Sequence, residues 1–171
     1  MNEIEKTYLL KTMPSELDKY PSKEIIDIYF PKDNPHPAMR IRKNGNKYEI
    51  THKHTAIEGD ASHLIEQTII LTEEEFKALS TIDGLRVHKV RYNYDYKGLI
   101  AEIDIFKDDL EGLVLVDFEF KDIEQKDSFE MPTFCLADVT QEEFIAGGKI
   151  CGKKYSDIEN QLERFNYKKV L

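Results

Sequence analysis

Glu3-Ile4-Glu5-Lys6-Thr7-Tyr8-Leu9-Leu10 alternates with a period of two. In a β-strand that spacing sends Ile4, Tyr8 and Leu10 to one face and Glu3, Glu5 and Thr7 to the other. On its own the pair of carboxylates describes a solvated strand face. The pattern recurs, however, in Ala101-Glu102-Ile103-Asp104-Ile105 and Val116-Asp117-Phe118-Glu119-Phe120 with acids, and in Met39-Arg40-Ile41-Arg42 and His88-Lys89-Val90-Arg91-Tyr92 with bases. Five segments therefore carry like charges at spacing two with apolar residues between them.

Around these segments the chain has 171 residues, enough for one domain with a sizeable core, and we expect 1–171 to form it. A third of the residues are charged and the formal net charge is -9, which argues against a nonspecific nucleic-acid binder. Cys135 and Cys151 have no metal-ligand spacing and are expected as free thiols in a reducing compartment. No apolar run approaches the roughly 18 residues of a membrane helix. The acidic, strand-like start lacks the layout of a signal peptide. The expectation is a cytoplasmic protein, monomer or homodimer, with no nucleic-acid or membrane partner.

Further strands are expected at 24–30, 38–43, 47–53, 63–71, 87–96, 99–106 and 113–120. Hairpins fall at Asn44-Gly45-Asn46 and Lys97-Gly98, and 54–62 reads as a polar connection. Thr72-Glu73-Glu74-Glu75, Thr140-Gln141-Glu142-Glu143 and Ser156-Asp157-Ile158-Glu159 each have the spacing of a capping box. They predict helices to about Ser80, to a stop at Gly147-Gly148, and to about Phe165. Residues 121–130 read as a short helix or loop. The fold class is α+β.

The apolar faces of these strands must be buried. Either a half-solvated sheet covers one layer of helices, or the sheet closes into a barrel with helices outside and charges inside. A solvated face mixes charge signs, whereas here each doublet is pure. Cross-strand ion pairs, each worth about 0.2–1 kcal/mol, explain Lys89 and Arg91 facing Glu102 and Asp104. They leave Glu3/Glu5, Asp117/Glu119 and Arg40/Arg42 unexplained. A lumen that collects carboxylates beside Arg and Lys suits a hard divalent cation and a polyphosphate.

In this order the motifs resemble the triphosphate tunnel metalloenzymes, also called CYTH-domain proteins. The likeness runs through Glu3-Ile4-Glu5, Arg40-Ile41-Arg42, Thr51-His52-Lys53, Glu66, Lys89-Val90-Arg91, Glu102-Ile103-Asp104 and Asp117-Phe118-Glu119. Asp138-Val139-Thr140 resembles the family's C-terminal section. The resemblance implies an eight-stranded antiparallel β-barrel with helices packed outside. It implies Arg40, Arg42, Lys53, Lys89 and Arg91 on phosphate oxygens, Glu3, Glu5, Asp117 and Glu119 on Mg²⁺ or Mn²⁺, and Glu5, Lys53, Glu102 and Asp104 in catalysis. Glu66 would orient a phosphate-binding cation. The family's lysine two positions after the second glutamate is Thr7 here, and Lys11 replaces it only if the strand extends that far.

The expected activity is metal-dependent hydrolysis of inorganic triphosphate to diphosphate and phosphate. The alternatives are a class IV adenylate cyclase, a thiamine or nucleoside triphosphatase, and a non-catalytic polyphosphate- or nucleotide-binding module. His52 and His54 are expected outside the barrel as a surface pair. Tyr92, Tyr94 and Tyr96 are expected on its outer face, packing on a helix.

Overall fold

Each alternating stretch forms a strand because each has an apolar face to bury and a charged face to enclose. In the computed structural model, which describes residues 2–170, these strands are β1 (Asn2–Leu10), β2 (Ser22–Phe30), β3 (Met39–Asn44), β4 (Lys47–Ile57), β5 (Asp60–Leu71), β6 (Leu85–Tyr96), β7 (Leu99–Phe106) and β8 (Val114–Phe120). The lateral order is β5-β4-β3-β2-β6-β7-β8-β1, all neighbours antiparallel. β1 returns to β5 with Glu3 opposite Leu64, which closes an eight-stranded barrel.

The closing seam is short. Among the described residues β1 and β5 pair through residues 2–4 of β1. Further along, the same edge of β1 is taken by β9 (Cys135–Asp138), with Tyr8 opposite Asp138 and Leu10 opposite Cys135. Between the two pairings, side chains stand in for a strand. The Thr7 N–H donates to Thr140 Oγ1 at 3.0 Å, and the Ala61 N–H donates to Gln141 Oε1 at 3.0 Å. Backbone donors that a gap in the ladder would leave bare are thereby satisfied.

Outside the barrel lie α1 (Glu73–Leu79), α2 (Ile123–Ser128), α3 (Gly147–Ile150) and α4 (Tyr155–Glu163). The capping box at Thr72 forms as expected: Thr72 Oγ1 accepts from the Glu75 N–H at 3.2 Å and Glu75 accepts from the Thr72 N–H at 2.7 Å. The other two helix starts need correction. Thr140 caps no helix, because its hydroxyl serves the seam, and a single 3-10 turn at Glu143–Ile145 follows. Gly147 and Gly148 open α3 instead of ending a helix. α4 begins one residue before Ser156, with Asp157 accepting from the Lys154 N–H at 2.8 Å. Residues 54–62 are not a loose connection either: β4 runs to Ile57, β5 starts at Asp60, and Gly59 turns the chain at φ 82°. Among the described residues no helix is long and apolar enough to cross a membrane.

Two apolar clusters hold the barrel. The outer one packs Tyr8, Leu10, Ile103, Val116 and Phe118 under Phe129 and Phe134. Tyr94 and Tyr96 pack there on Phe134, and Tyr94 also on Tyr20, so the cover over these tyrosines is the 129–135 segment and a short turn, not the helix expected. The second cluster gathers inward-facing residues from one end of the barrel, among them Leu9, Tyr29, Val87, Phe106 and Leu115. Val139, Ile145, Ile150, Ile158 and Leu162 complete it. Fully burying a side chain such as Leu9 or Val116 is worth about 2 kcal/mol. The C-terminal section thus seals one end of the lumen with hydrocarbon, and the charged residues occupy the rest.

Candidate active site

The period of two that forms each strand also decides which side chains enter the lumen. Glu3, Glu5 and Thr7 of β1 enter beside Asp117 and Glu119 of β8, with Thr7 directly opposite Asp117 and Glu5 opposite Glu119. Glu102 and Asp104 of β7 follow, then Lys89 and Arg91 of β6. Arg40 and Arg42 of β3, Lys53 of β4 and Glu66 of β5, the strand that closes on β1, complete the ring. All of them line one cavity of about 810 Å³. Every residue expected from the sequence to form the site is therefore brought together.

The cations are held in distinct ways. Arg42 donates through Nε and Nη2 to both oxygens of Asp27, at 2.6 and 2.8 Å. Arg40 donates through Nη1 to Tyr29 Oη at 3.0 Å and through Nη2 to Glu66 at 3.4 Å, while its buried Nε finds no hydrogen-bond partner among the described residues. Arg91 places Nε and Nη2 on Asp104, both at 2.6 Å, and Nη1 on Glu102. Lys89 pairs with the same Asp104. Lys53 lies between Glu3 and Glu5, at 2.8 and 3.2 Å.

Two buried aspartates act as fixed counter-ions. Burial raises the pKa of Asp27, but the charge and hydrogen bonds of Arg42 overcome it and hold the carboxyl down at about 2. Burial is likewise outweighed at Asp104, where Arg91 and Lys89 keep the carboxyl well below the ordinary range. The β1–β8 acids behave in the opposite way. Burial lifts Glu5 to about 7 against the pull of Lys53, with Asp117 and Glu3 adding to the rise. Burial also raises Asp117, with Asp104 adding, and Glu119, with Glu102 and Glu3 adding.

Carboxylates outnumber the five cations Arg40, Arg42, Lys53, Lys89 and Arg91 in the lining. Four of these acids, Glu3, Glu5, Asp117 and Glu119, stand together on β1 and β8, and burial opposes ionisation of Glu5, Asp117 and Glu119. Such a donor set fits a hard divalent cation, which takes carboxylate oxygens. Among the described residues no three His, Cys, Asp or Glu side chains converge closely enough to hold a metal as they stand, since Glu3 and Glu5 are turned to Lys53.

Three contributors escaped the sequence reading. Asp27 is a lone acid inside Ile25-Ile26-Asp27-Ile28, and its inward parity beside an arginine doublet is the signal that would have found it. Tyr29 lies two residues on, with the same inward parity. Thr140 acts through the seam. Lys11 stays outside the site, because β1 ends at Leu10 and Lys11 is exposed. The His52 and His54 rings lie side by side, 5.2 Å apart, on the alternate parity to Lys53, but His54, expected outside the barrel, borders the cavity.

The CYTH domain model matches residues 2–141. An inorganic triphosphatase of Nitrosomonas europaea is 30% identical over 145 residues, which span 83% of this chain and 91% of the relative. A solved inorganic triphosphatase superposes with a TM-score of 0.65 at 24% identity, covering 88% of this chain and 95% of the other. A candidate adenylate cyclase from Bacillus halodurans shares the fold at a TM-score of 0.53 and 17% identity, over 99% of this chain and 92% of the other.

Proposed function

Because the chain belongs to the CYTH domain family, which spans residues 2–141, we propose that it hydrolyses inorganic triphosphate to diphosphate and phosphate. The observation that carries this reading is the lumen itself: five cations and a surplus of carboxylates face one another across a cavity sealed by hydrocarbon at one end. Phosphoryl transfer demands positioning and charge neutralisation more than covalent chemistry.

In this reading Arg40, Arg42, Lys53, Lys89 and Arg91 hold phosphate oxygens. The Nε of Arg40, without a hydrogen-bond partner among the described residues, is a buried donor for which an anion is the natural partner. Glu3, Glu5, Asp117 and Glu119 would hold Mg²⁺ or Mn²⁺. A bound divalent cation neutralises phosphate charge and makes water more acidic. Lys53, kept protonated by Glu5 and Glu3 against its burial, sits between the two walls and can neutralise the leaving diphosphate. Glu102 and Asp104 act by fixing Arg91 and Lys89. Water adds to the terminal phosphorus, the bridging P–O bond breaks, and the proton lost by water leaves with the products. We place the enzyme in the cytoplasm, in keeping with its two buried free cysteines, and take residues 1–171 as one functional unit.

The test is initial-rate kinetics on inorganic triphosphate, ATP and thiamine triphosphate with Mg²⁺, together with product analysis. The expected result is the highest kcat/KM on inorganic triphosphate. Cyclic AMP and diphosphate from ATP would replace this reading with a cyclase. Tight triphosphate binding without turnover would replace it with a binding module.

A further inference from the structure

Arg42 has two candidate anionic partners, and the fold has to choose between them. Its cross-strand neighbour on β4 is Glu49, which lines the same cavity. Directly opposed residues of an antiparallel pair have Cβ atoms about 5 Å apart, well within reach of an arginine. Its neighbour on β2 is Asp27, opposite it in register and only 1% exposed. The guanidinium takes Asp27, bidentately, through Nε and Nη2. That choice turns the group inward, beside Arg40, whose Nε lies 4.0 Å from the same Asp27.

Repulsion works against this arrangement. Arg40, Arg42 and Lys89 crowd one side of the lumen, and without a central negative charge an arginine relieves the repulsion by swinging away. Glu49 is the acceptor it would swing to.

We propose that Asp27 is a positioning residue that holds Arg42 in the phosphate-binding part of the tunnel against the competing pull of Glu49. Asp27 itself touches no substrate. It fixes the fork of Arg42 so that Nη1 stays free for a phosphate oxygen, in the way a rigid bidentate pair lowers the ordering cost of the next contact. The inference rests on the proposed function, which supplies the phosphate. A long-range effect opposes it: removing a negative charge from the lumen favours an anion. The two effects have opposite signs, so one measurement separates them.

The measurement is kcat and KM for inorganic triphosphate with Mg²⁺ in wild type, Asp27→Asn, Arg42→Gln, the Asp27→Asn/Arg42→Gln double variant and Asp27→Asn/Glu49→Gln. KM should rise about tenfold in Asp27→Asn, the scale of one charge-assisted contact, with kcat within about threefold. Adding Asp27→Asn to Arg42→Gln should raise KM no further, because only the long-range effect of the lost charge is left. Glu49→Gln should recover part of the loss in Asp27→Asn. A merely structural role would move none of these ratios in that pattern. An unchanged or lowered KM in Asp27→Asn, or full additivity with Arg42→Gln, overturns the inference while leaving the proposed function in place. No turnover by wild type, or a wild-type KM in Arg42→Gln, removes the phosphate-binding role of Arg42 and the inference with it. If Asp27→Asn does not fold, the Arg42 Nε–H resonance of the wild-type protein decides. Protection from solvent exchange, unchanged in Glu49→Gln, supports the inference, and free exchange overturns it.

Discussion

Thr7 puts a hydroxyl where the family resemblance leads one to expect an ammonium group. The structure gives that hydroxyl an occupation: it donates to Asp117 Oδ1 at 2.7 Å, and the other oxygen of Asp117 lies 3.5 Å from Arg91. A lysine here would face Asp117 and add a sixth cation to a lining in which acids are in excess. Thr7→Lys is therefore expected to lower KM for triphosphate by about tenfold, the effect of one added charge contact. An unchanged KM would show that position 7 does not reach the phosphates. Asp27 makes a second prediction at this scale. Its folded pKa of about 2 lies below the ordinary 3.8, so its ion pair stabilises the fold fully above about pH 5 and loses that contribution as pH falls through roughly 4 to 2. Urea denaturation of wild type and Asp27→Asn should show a constant stability gap above about pH 5 that narrows in acid. A gap independent of pH would contradict the pairing. The doublets were legible in sequence because purity of sign over two positions is rare on a solvated face. Asp27 was not, because a single acid carries no such pattern, and only the register of β2 against β3 gives it a partner.

Elements were legible where both strand faces carry contrasting chemistry. β1, β3, β6, β7 and β8 alternate cleanly, and the structure places them within two residues of expectation. The signal faded where alternation did. His54-Thr55-Ala56-Ile57 has no apolar face, so the extension of β4 went unseen, and the four residues of β9 are too few to show a period. The T-x-x-E pattern at Thr140 misled because an unpaired backbone donor on a distant strand, the Thr7 N–H, claimed the hydroxyl. α3 explains why Gly147-Gly148 is not a stop. A Cβ on Gly147 would stand 2.2 Å from Tyr29 Oη, and Tyr29 is what Arg40 Nη1 binds. Gly147→Ala should cost about 1–3 kcal/mol of stability through overpacking and raise KM by displacing Arg40. Adding Tyr29→Phe, which removes the clashing oxygen, should return most of the stability but not the KM. Recovery of both would show that Tyr29 does not hold Arg40.

At the scale of the whole molecule, the barrel solves a problem that its charges create. Buried ion pairs contribute little net stability and can cost more in desolvation than they return. Here they are carried by a hydrocarbon shell outside, built on Tyr8, Ile103, Val116 and Phe118, and by the sealed end within. The net charge of -9 and the excess of acids in the lumen mean that a polyanion meets an unfavourable field unless a cation accompanies it. The proposed hydrolysis therefore requires the cation and the β1–β8 acids jointly. The direct test is phosphate release from inorganic triphosphate by wild type and Glu5→Gln, with Mg²⁺, with Mn²⁺ and with chelator. Turnover that needs the metal and falls by at least about a hundredfold in Glu5→Gln is the predicted result. Equal turnover in chelator, or wild-type rates in Glu5→Gln, would contradict it.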